Sequence, residues 1–442
     1  MSKTFRPWNV DQVWLLPPSV QDFVPAKHVA HFVRETVRSE LDLGAILASY
    51  GEERGYPPYH PAMMVALLLY GYSRGVYSSR QLERACEERV DFMAVTGMNR
   101  PDFRTVAEFR RRHLVALGGL FVQVLKLCRE AGLVKLGHVA LDGTKIKANA
   151  SRHRAMSYGR MGEAEAKLQA EVAAWFARAE AADVEEDGAH GSARGDELPD
   201  WVADKQQRLE RLRAAKAALE AEAKAPPPAD DDGPGPSTGM MDHGKPKRAQ
   251  DGGPPDRAQR NFTDPDSRIL KTADGIVQGY NAQIAVDGAH QIILAQRVQT
   301  NAADRGALAP LVKAIRRDLR ANPQELSADA GYCDEANLAF LARRRIAAYL
   351  APGRARHGTG DPAGKRRARK GSRVAAMATK LRRAGHRSRY RLRKQIVEPV
   401  FGHIKAARGF RMFLLRGLGK VRQEWAMICT AHNLLKLAAA QG

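Results

Sequence analysis

The chain has 442 residues, 44% of them hydrophobic, enough to fill more than one core, so a multidomain globular protein is expected. Its 71 Lys and Arg against 49 Asp and Glu leave a net charge of +22 and a pI near 10.0, a self-repulsion that calls for a polyanionic partner and makes nucleic acid the leading candidate. Cys86, Cys128, Cys333 and Cys429 match neither a zinc site nor a disulfide framework, the N-terminus lacks a signal-peptide layout, and no apolar run reaches the roughly 20 residues a bilayer needs, so a cytoplasmic protein with no membrane association is expected.

Residues 1–132 read as helices joined by short turns. VPAKHVAHFVRETVRSEL repeats apolar residues at helical spacing, with Pro25 suited to a first helical position, and PAMMVALLLYGYSRG is an almost wholly apolar helix expected at the centre of this domain. SSRQLERACEERVDFMAVTG and PDFRTVAEFRRRHLVALGGLFVQVLKLCREAGL follow. Between them a turn with Gly97 and Pro101 precedes a helix opening at Thr105 and carrying Arg110, Arg111 and Arg112, a layout that resembles helix-turn-helix geometry. An ordinary helical hairpin with a solvated basic face is the alternative. Given the global charge, Arg110 and Arg111 are candidate DNA contacts.

From residue 136 the period changes. GHVALD and KIKANA read as neighbouring strands, and GIVQGYNAQIAVDGAHQIILAQRVQT reads as a hairpin turning at Asp287-Gly288. ADRGALAPLVKAIRRDL is helical, ELSADAG is a strand ending on Asp329, EANLAFLARRR is a helix and IAAYLAP another strand. A meander followed by strands alternating with helices describes a mixed α/β sheet, over 136–156 and 261–442.

Three segments stand apart. Residues 157–224 are rich in Ala, Glu, Lys and Arg at helical period and predict two exposed helices or a coiled-coil hairpin. Residues 225–260, beginning PPPADDDGPGPSTG, are expected to be a disordered linker. From Arg354 to Lys394 sixteen Lys or Arg face one acid, Asp361, which is fifteen of the twenty-two excess charges. The 353–388 part is expected to be a flexible basic loop and its continuation a helix running past Glu398; the strip is a candidate for binding phosphate.

Asp142 and Asp329 each close an apolar strand, in LDG and ADAG. If those strands are neighbours, two carboxylates reach the same point, where they repel each other unless a cation lies between them. Mg²⁺ suits such a place, because it takes one or two carboxylates together with water and phosphate oxygens. Glu398 is a third acid, in VEPVFGHIK, where Pro399 predicts a kink or a helix start. Singly, each has an ordinary reading: a strand-end Asp as a turn or cap residue, a helical Glu as a solvated one.

FRPWNVDQVWLLPPSVQDFVPAKHVAHFV, GYPPYHPAMMVALLLYGYSRGVYSSRQLERAC and PDFRTVAEFRRRH, then LDGTKIKANAS, GYNAQIAVDGAHQIILA, LSADAGYCDEANL and VEPVFGHIKAARGFRMFLLRGLGKVRQEWAMICTAHNLLKL, resemble in order the blocks of bacterial insertion-sequence transposases of the Asp-Asp-Glu type. The resemblance covers most of the chain. It implies a ribonuclease-H-like mixed sheet flanked by helices, interrupted by the helical and disordered insertion and preceded by an all-α domain for binding DNA ends.

By the same resemblance Asp142, Asp329 and Glu398 are the three catalytic, metal-holding acids. The family signature of Tyr, two residues, Arg, three residues, Glu, six residues, Lys is met by Glu398 and Lys405. Tyr390 and Arg393 keep their mutual gap but lie one residue too far from Glu398; keeping that interval instead selects Arg391 and Lys394. Lys405, two helical turns after Glu398, then projects on the same face and could hold DNA phosphate. Implied further are two Mg²⁺ or Mn²⁺ ions, double-stranded DNA as element ends and target, a homodimer when the ends are synapsed, and a nucleoid-associated enzyme that cleaves and transfers strands. A metal-dependent nuclease on the same fold and a catalytically inactive DNA-binding relative are the alternatives.

Overall fold

The structure is a computed structural model and describes residues 19–51, 58–187, 200–224, 253–272, 275–353, 369 and 371–441. The chain divides into two compact units: Met1–Val134 with Ala407–Gly409 and Ala426–Gly442, and Lys135–Ala406 with Phe410–Trp425.

The first unit is all helical. α1 (Val29–Ser39) starts at its cap His28, whose Nδ1 accepts the Ala30 N–H at 3.3 Å, and not at Pro25. A short α2 (Gly44–Leu47) leads to α3 (Pro61–Arg74), where Pro61 takes the first position, the side chains from Met64 to Ser73 are buried, and Gly75 ends the helix at φ 75°. What reads in sequence as one helix is two, α4 (Ser79–Glu88) and α5 (Val90–Thr96), because Arg89 between them is extended. Gly97, left-handed at φ 59°, turns the chain into α6 (Phe103–Arg112). That helix begins at Phe103, before Thr105, because the Asp102 carboxylate accepts the N–H groups of Arg104 and Thr105 at 2.8 and 3.1 Å. A break at His113 separates it from α7 (Leu114–Glu130), whose Leu117, Leu120, Phe121 and Val124 are buried.

The second unit carries a six-stranded mixed sheet. β1 (His138–Lys147) lies at its centre, and a small pair is formed by β2 (Ala155–Ser157) and β3 (Gln259–Asn261). Between those two run α8 (Tyr158–Asp187) and α9 (Asp200–Lys224), which pack through Met161, Leu168, Leu209, Leu212 and Leu219. β4 (Arg268–Thr272), β5 (Gly275–Asp287) and β6 (Ile293–Gln299) follow, then α10 (Leu308–Leu319), β7 (Glu325–Ala328), α11 (Glu335–Arg343) and β8 (Ala347–Leu350). The last helices are α12 (Arg373–Ala384), α13 (Leu392–Gly402) and α14 (Leu418–Gln441).

The order is β4-β5-β1-β7-β8, with β6 also on β5. β5 is antiparallel to β1, β4 and β6, while β7 is parallel to β1 and β8 to β7, the mixed arrangement of a ribonuclease-H-like fold. β5 is buried from Gln278 to Asp287, as a central strand covered on both faces must be.

Three expectations are corrected. β1 does not stop on Asp142; it continues through Lys147, because Gly143–Lys147 pair with Gly279–Gln283 of β5, so the two expected strands are one. Within 225–260, residues 225–252 lie outside the described residues, but 253–260 are tied down: Tyr158 and Gly159 donate their N–H groups to Ala258 and Asp256 at 2.7 and 3.0 Å. Within 353–388, residues 354–368 and 370 lie outside the described residues, while 373–384 form α12, capped by the Ser372 hydroxyl and anchored by buried Met377 and Leu381.

Candidate active site

Register brings the two strand-borne aspartates level. His138–Leu141 of β1 pair in parallel with Glu325–Ala328 of β7, so the next residue on each strand is Asp142 and Asp329. Asp142 sits mid-strand opposite Ile284; Asp329 leaves its strand and caps the following turn, its Oδ1 accepting the Gly331 N–H at 2.8 Å. Below them His138 spans to Glu325 at 3.0 Å and Ser327 at 2.9 Å, and Arg389 donates to the same Glu325 at 2.8 Å.

The Asp142 side chain is only 19% exposed, and one oxygen accepts its neighbour's Gly143 N–H at 2.9 Å. The other accepts from the Arg393 guanidinium, which is 12% exposed. Burial pushes the Asp142 carboxyl up to about 6; Arg393 opposes the rise, and the charges of Asp329 and Asp304 add to it.

Asp304 was not singled out by sequence. Its Oδ1 accepts from Asn281 Nδ2 and Gln283 Nε2, both at 2.7 Å, with Lys145 Nζ at 3.5 Å. Gln283 also donates to Asn281 Oδ1 at 2.9 Å and accepts from the buried Tyr332 hydroxyl. Burial, then the charges of Asp304, Asp142 and Asp329, raise the Tyr332 hydroxyl well above its ordinary value. The one available signal was the alternation in GYNAQIAV, which sets Asn281 and Gln283 two apart on the same face of a strand otherwise apolar enough to be buried.

The remaining candidates have varied placements. Glu398 lies on α13, whose Ile396, Val397 and Val400 are buried, but its own side chain is exposed and it is not gathered with the two aspartates. Among the described residues no three His, Cys, Asp or Glu side chains converge as a metal cluster. Pro399 sits inside α13 without ending it; the Gln395 carbonyl, four residues back, instead accepts from Gln291 at 3.2 Å. A π-helical turn over His403–Ala407 then changes the angular register, so the two-turn α-helical relation of Lys405 to Glu398 does not hold. Lys405 Nζ bonds Thr144 Oγ1 at 2.7 Å and the Lys145 carbonyl at 3.1 Å, bracing β1.

Arg393 turns to Asp142, with the Tyr390 ring 5.9 Å away, while Arg391 and Lys394 are exposed. In the first unit Arg110 is 6% exposed and donates to the Tyr77 carbonyl and Ser79 Oγ, each at 2.7 Å. That is a correction: a guanidinium buried and paired this way does not face DNA. Arg111 is exposed and pairs with Glu108.

Two level carboxylates with hard oxygen donors fit a divalent ion of the Mg²⁺ kind, which needs only one or two protein carboxylates when a substrate phosphate supplies the rest. Burial does most to raise the Asp142 carboxyl, with Asp329 and Asp304 adding to it, and a cation bound beside the pair would favour its charged form.

Two family models match the chain: one described as Transposase domain (DUF772) over residues 18–112, the other as Transposase DDE domain over residues 259–434. Together they span more than half of the residues. No curated protein and no solved structure matches. No helix among the described residues is long and apolar enough to cross a membrane.

Proposed function

The chain belongs to the insertion-sequence transposases of the DDE type, DNA-processing enzymes that generally use divalent metal ions, and from this premise we propose that it binds the ends of its own element and catalyses both strand cleavage and strand transfer. The observation that carries the reading is the parallel register that sets Asp142 and Asp329 side by side.

Asp142 and Asp329 are the proposed metal-holding acids; Glu398, exposed on the helix packed on β1 and apart from them, is the third that the family resemblance implies and would have to approach when metal and DNA bind. Divalent ions held by these acids would lower the pKa of the attacking water or 3'-hydroxyl and neutralise charge at the leaving oxygen. The chain's own groups orient the acids: Arg393 holds one Asp142 oxygen, Gly143 N–H the other, and Gly331 N–H fixes Asp329. Lys405 and Thr144 keep the end of β1 straight beside them. The exposed Arg391 and Lys394 and the rest of the basic strip are proposed to hold the DNA phosphates, with Tyr390 and Arg393 at its inner edge and Arg111 contributing from the N-terminal unit. A homodimer is the proposed synaptic form, one copy per element end, acting at the nucleoid.

The test uses labelled DNA carrying the terminal repeats that flank the reading frame, with Mg²⁺ or Mn²⁺. Wild-type protein is expected to nick at the element boundary and to join the labelled 3'-hydroxyl end to target DNA. Cleavage without joined product would make it a nuclease, and end binding without cleavage at any metal concentration would make it an inactive DNA-binding relative.

A further inference from the structure

The two aspartates of the proposed site are followed by a glycine, Gly143 directly and Gly331 after one residue, and the same side chain lies where a side chain on either would point. A Cβ on Gly143 would lie 3.0 Å from Asp304 Oδ1 and 2.2 Å from Gln283 Nε2; a Cβ on Gly331 would lie 3.1 Å from Asp304 Oδ2. One carboxylate therefore has an oxygen against each glycine, spanning from β1 to the turn after β7. Its Oδ1 is anchored by two amides of β5 whose own side chains are fully buried, and Lys145 ties the same loop through the Ala302 carbonyl at 2.9 Å.

We propose that Asp304 is a positioning residue of the transposition reaction, a wedge that sets the separation of Asp142 and Asp329 through Gln283 and the two glycines. The proposal rests on the reading of Asp142 and Asp329 as the metal-holding pair. Neither glycine could carry a side chain without displacing Asp304 or its neighbours, so both acids' strands approach the wedge more closely than any other residue would permit, and the wedge is held from behind by β5. A shift of an acid by about 1 Å is enough to cost about a hundredfold in rate. Asn at 304 keeps an oxygen for the β5 amides and similar volume, so a positioning role survives that change, whereas Ala removes the wedge.

The experiment compares full-length wild type, Asp304→Ala, Asp304→Asn, Gln283→Leu, the Asp304→Ala Gln283→Leu double variant and Asp142→Asn. The readouts are end cleavage at saturating Mn²⁺, Mn²⁺ affinity measured by calorimetry without DNA, and thermal unfolding. Asp304→Ala is expected to lose about a hundredfold in maximal cleavage with Mn²⁺ affinity within about threefold of wild type, and Asp304→Asn to recover most of the rate. Asp304→Ala and Gln283→Leu combined are expected to cost no more than either alone, since both release the same wedge. Should Asp304→Ala not fold, Gln283→Leu carries the test, with the same loss expected.

Full activity in whichever of Asp304→Ala and Gln283→Leu folds overturns the proposal. So does an equal loss in Asp304→Asn accompanied by lost Mn²⁺ binding, which makes Asp304 a ligand instead. Asp142→Asn separates the two levels: if it still cleaves, the reading of the site fails; if it is inactive while Asp304→Ala is active, only the wedge fails.

Discussion

Two basic helical stretches, the end of α6 and the start of α13, each send one arginine inward and leave its neighbours in solvent. In α6 the buried arginine, Arg110, meets neutral oxygens only, the Tyr77 carbonyl and the Ser79 and Tyr72 hydroxyls. In α13 the half-buried arginine, Arg393, meets a carboxylate that also feels the charges of Asp329 and Asp304. The first arrangement consumes the donors and ties α6 to the loop after α3. The second sets a guanidinium against a buried carboxylate near two further acids, a concentration of charge found at functional sites more than at structural caps.

The largest effect expected is on the α13 side: Asp142→Ala or Asp329→Ala should reduce end cleavage by about a thousandfold or more while end binding, followed by gel shift, stays within a few-fold. Arg110→Ala should act on the fold alone. Losing a buried guanidinium with several hydrogen bonds is expected to cost about 3 kcal/mol in denaturant unfolding, with no change in the metal dependence of whatever protein remains folded. Metal dependence altered by Arg110→Ala would erase the contrast.

Next comes pH. The folded Asp142 carboxyl stands at about 6, above its ordinary 3.8, so the protonated form is the one folding favours. Its contribution to stability is fully present below pH 3.8 and lost as pH rises through 6, up to about 3 kcal/mol in metal-free protein. Thermal melts of metal-free wild type and Asp142→Asn should therefore differ in slope between pH 4 and 7, and Mn²⁺ should raise the melting temperature at pH 7 but hardly at pH 5. A Mn²⁺ shift equal at both values would exclude Asp142 from the site. The smallest effect belongs to exposed Arg111: Arg111→Ala should leave melting unchanged and lower the slope of log affinity for end DNA against log salt by about one.

Much of this was legible from residue order alone. The alternation of strands and helices from 138 to 350 is carried by period and by turn residues, which is why β5, β6, β7 and β8 fall where GIVQGYNAQIAV, IILAQRVQ, ELSA and AAYL suggest. The continuity of β1 past Asp142 was not legible, because Gly143 reads as a breaker until β5 is seen to pair across it. The inward turn of Arg110 was hidden for a similar reason: a run of three arginines shows charge but not which one the helical rotation points into the core. Asp304 lies in a loop, TNAADRG, where an Asp ordinarily means a turn, and only its distances to Asn281 and Gln283 reveal its place. Glu398 is the reverse case, conspicuous in sequence and exposed on α13 apart from the two aspartates.

On the proposed reading Asp142 and Asp329 together hold the ion that drives strand cleavage. The most direct measurement of this is Mn²⁺ binding to full-length protein by calorimetry at pH 7.5, wild type beside Asp142→Asn and Asp329→Asn, each checked for an unchanged circular dichroism spectrum. The expected result is a loss of at least about tenfold in affinity in either variant, paired with loss of end cleavage. Wild-type affinity in both variants, with cleavage intact, would remove the two aspartates from the metal site.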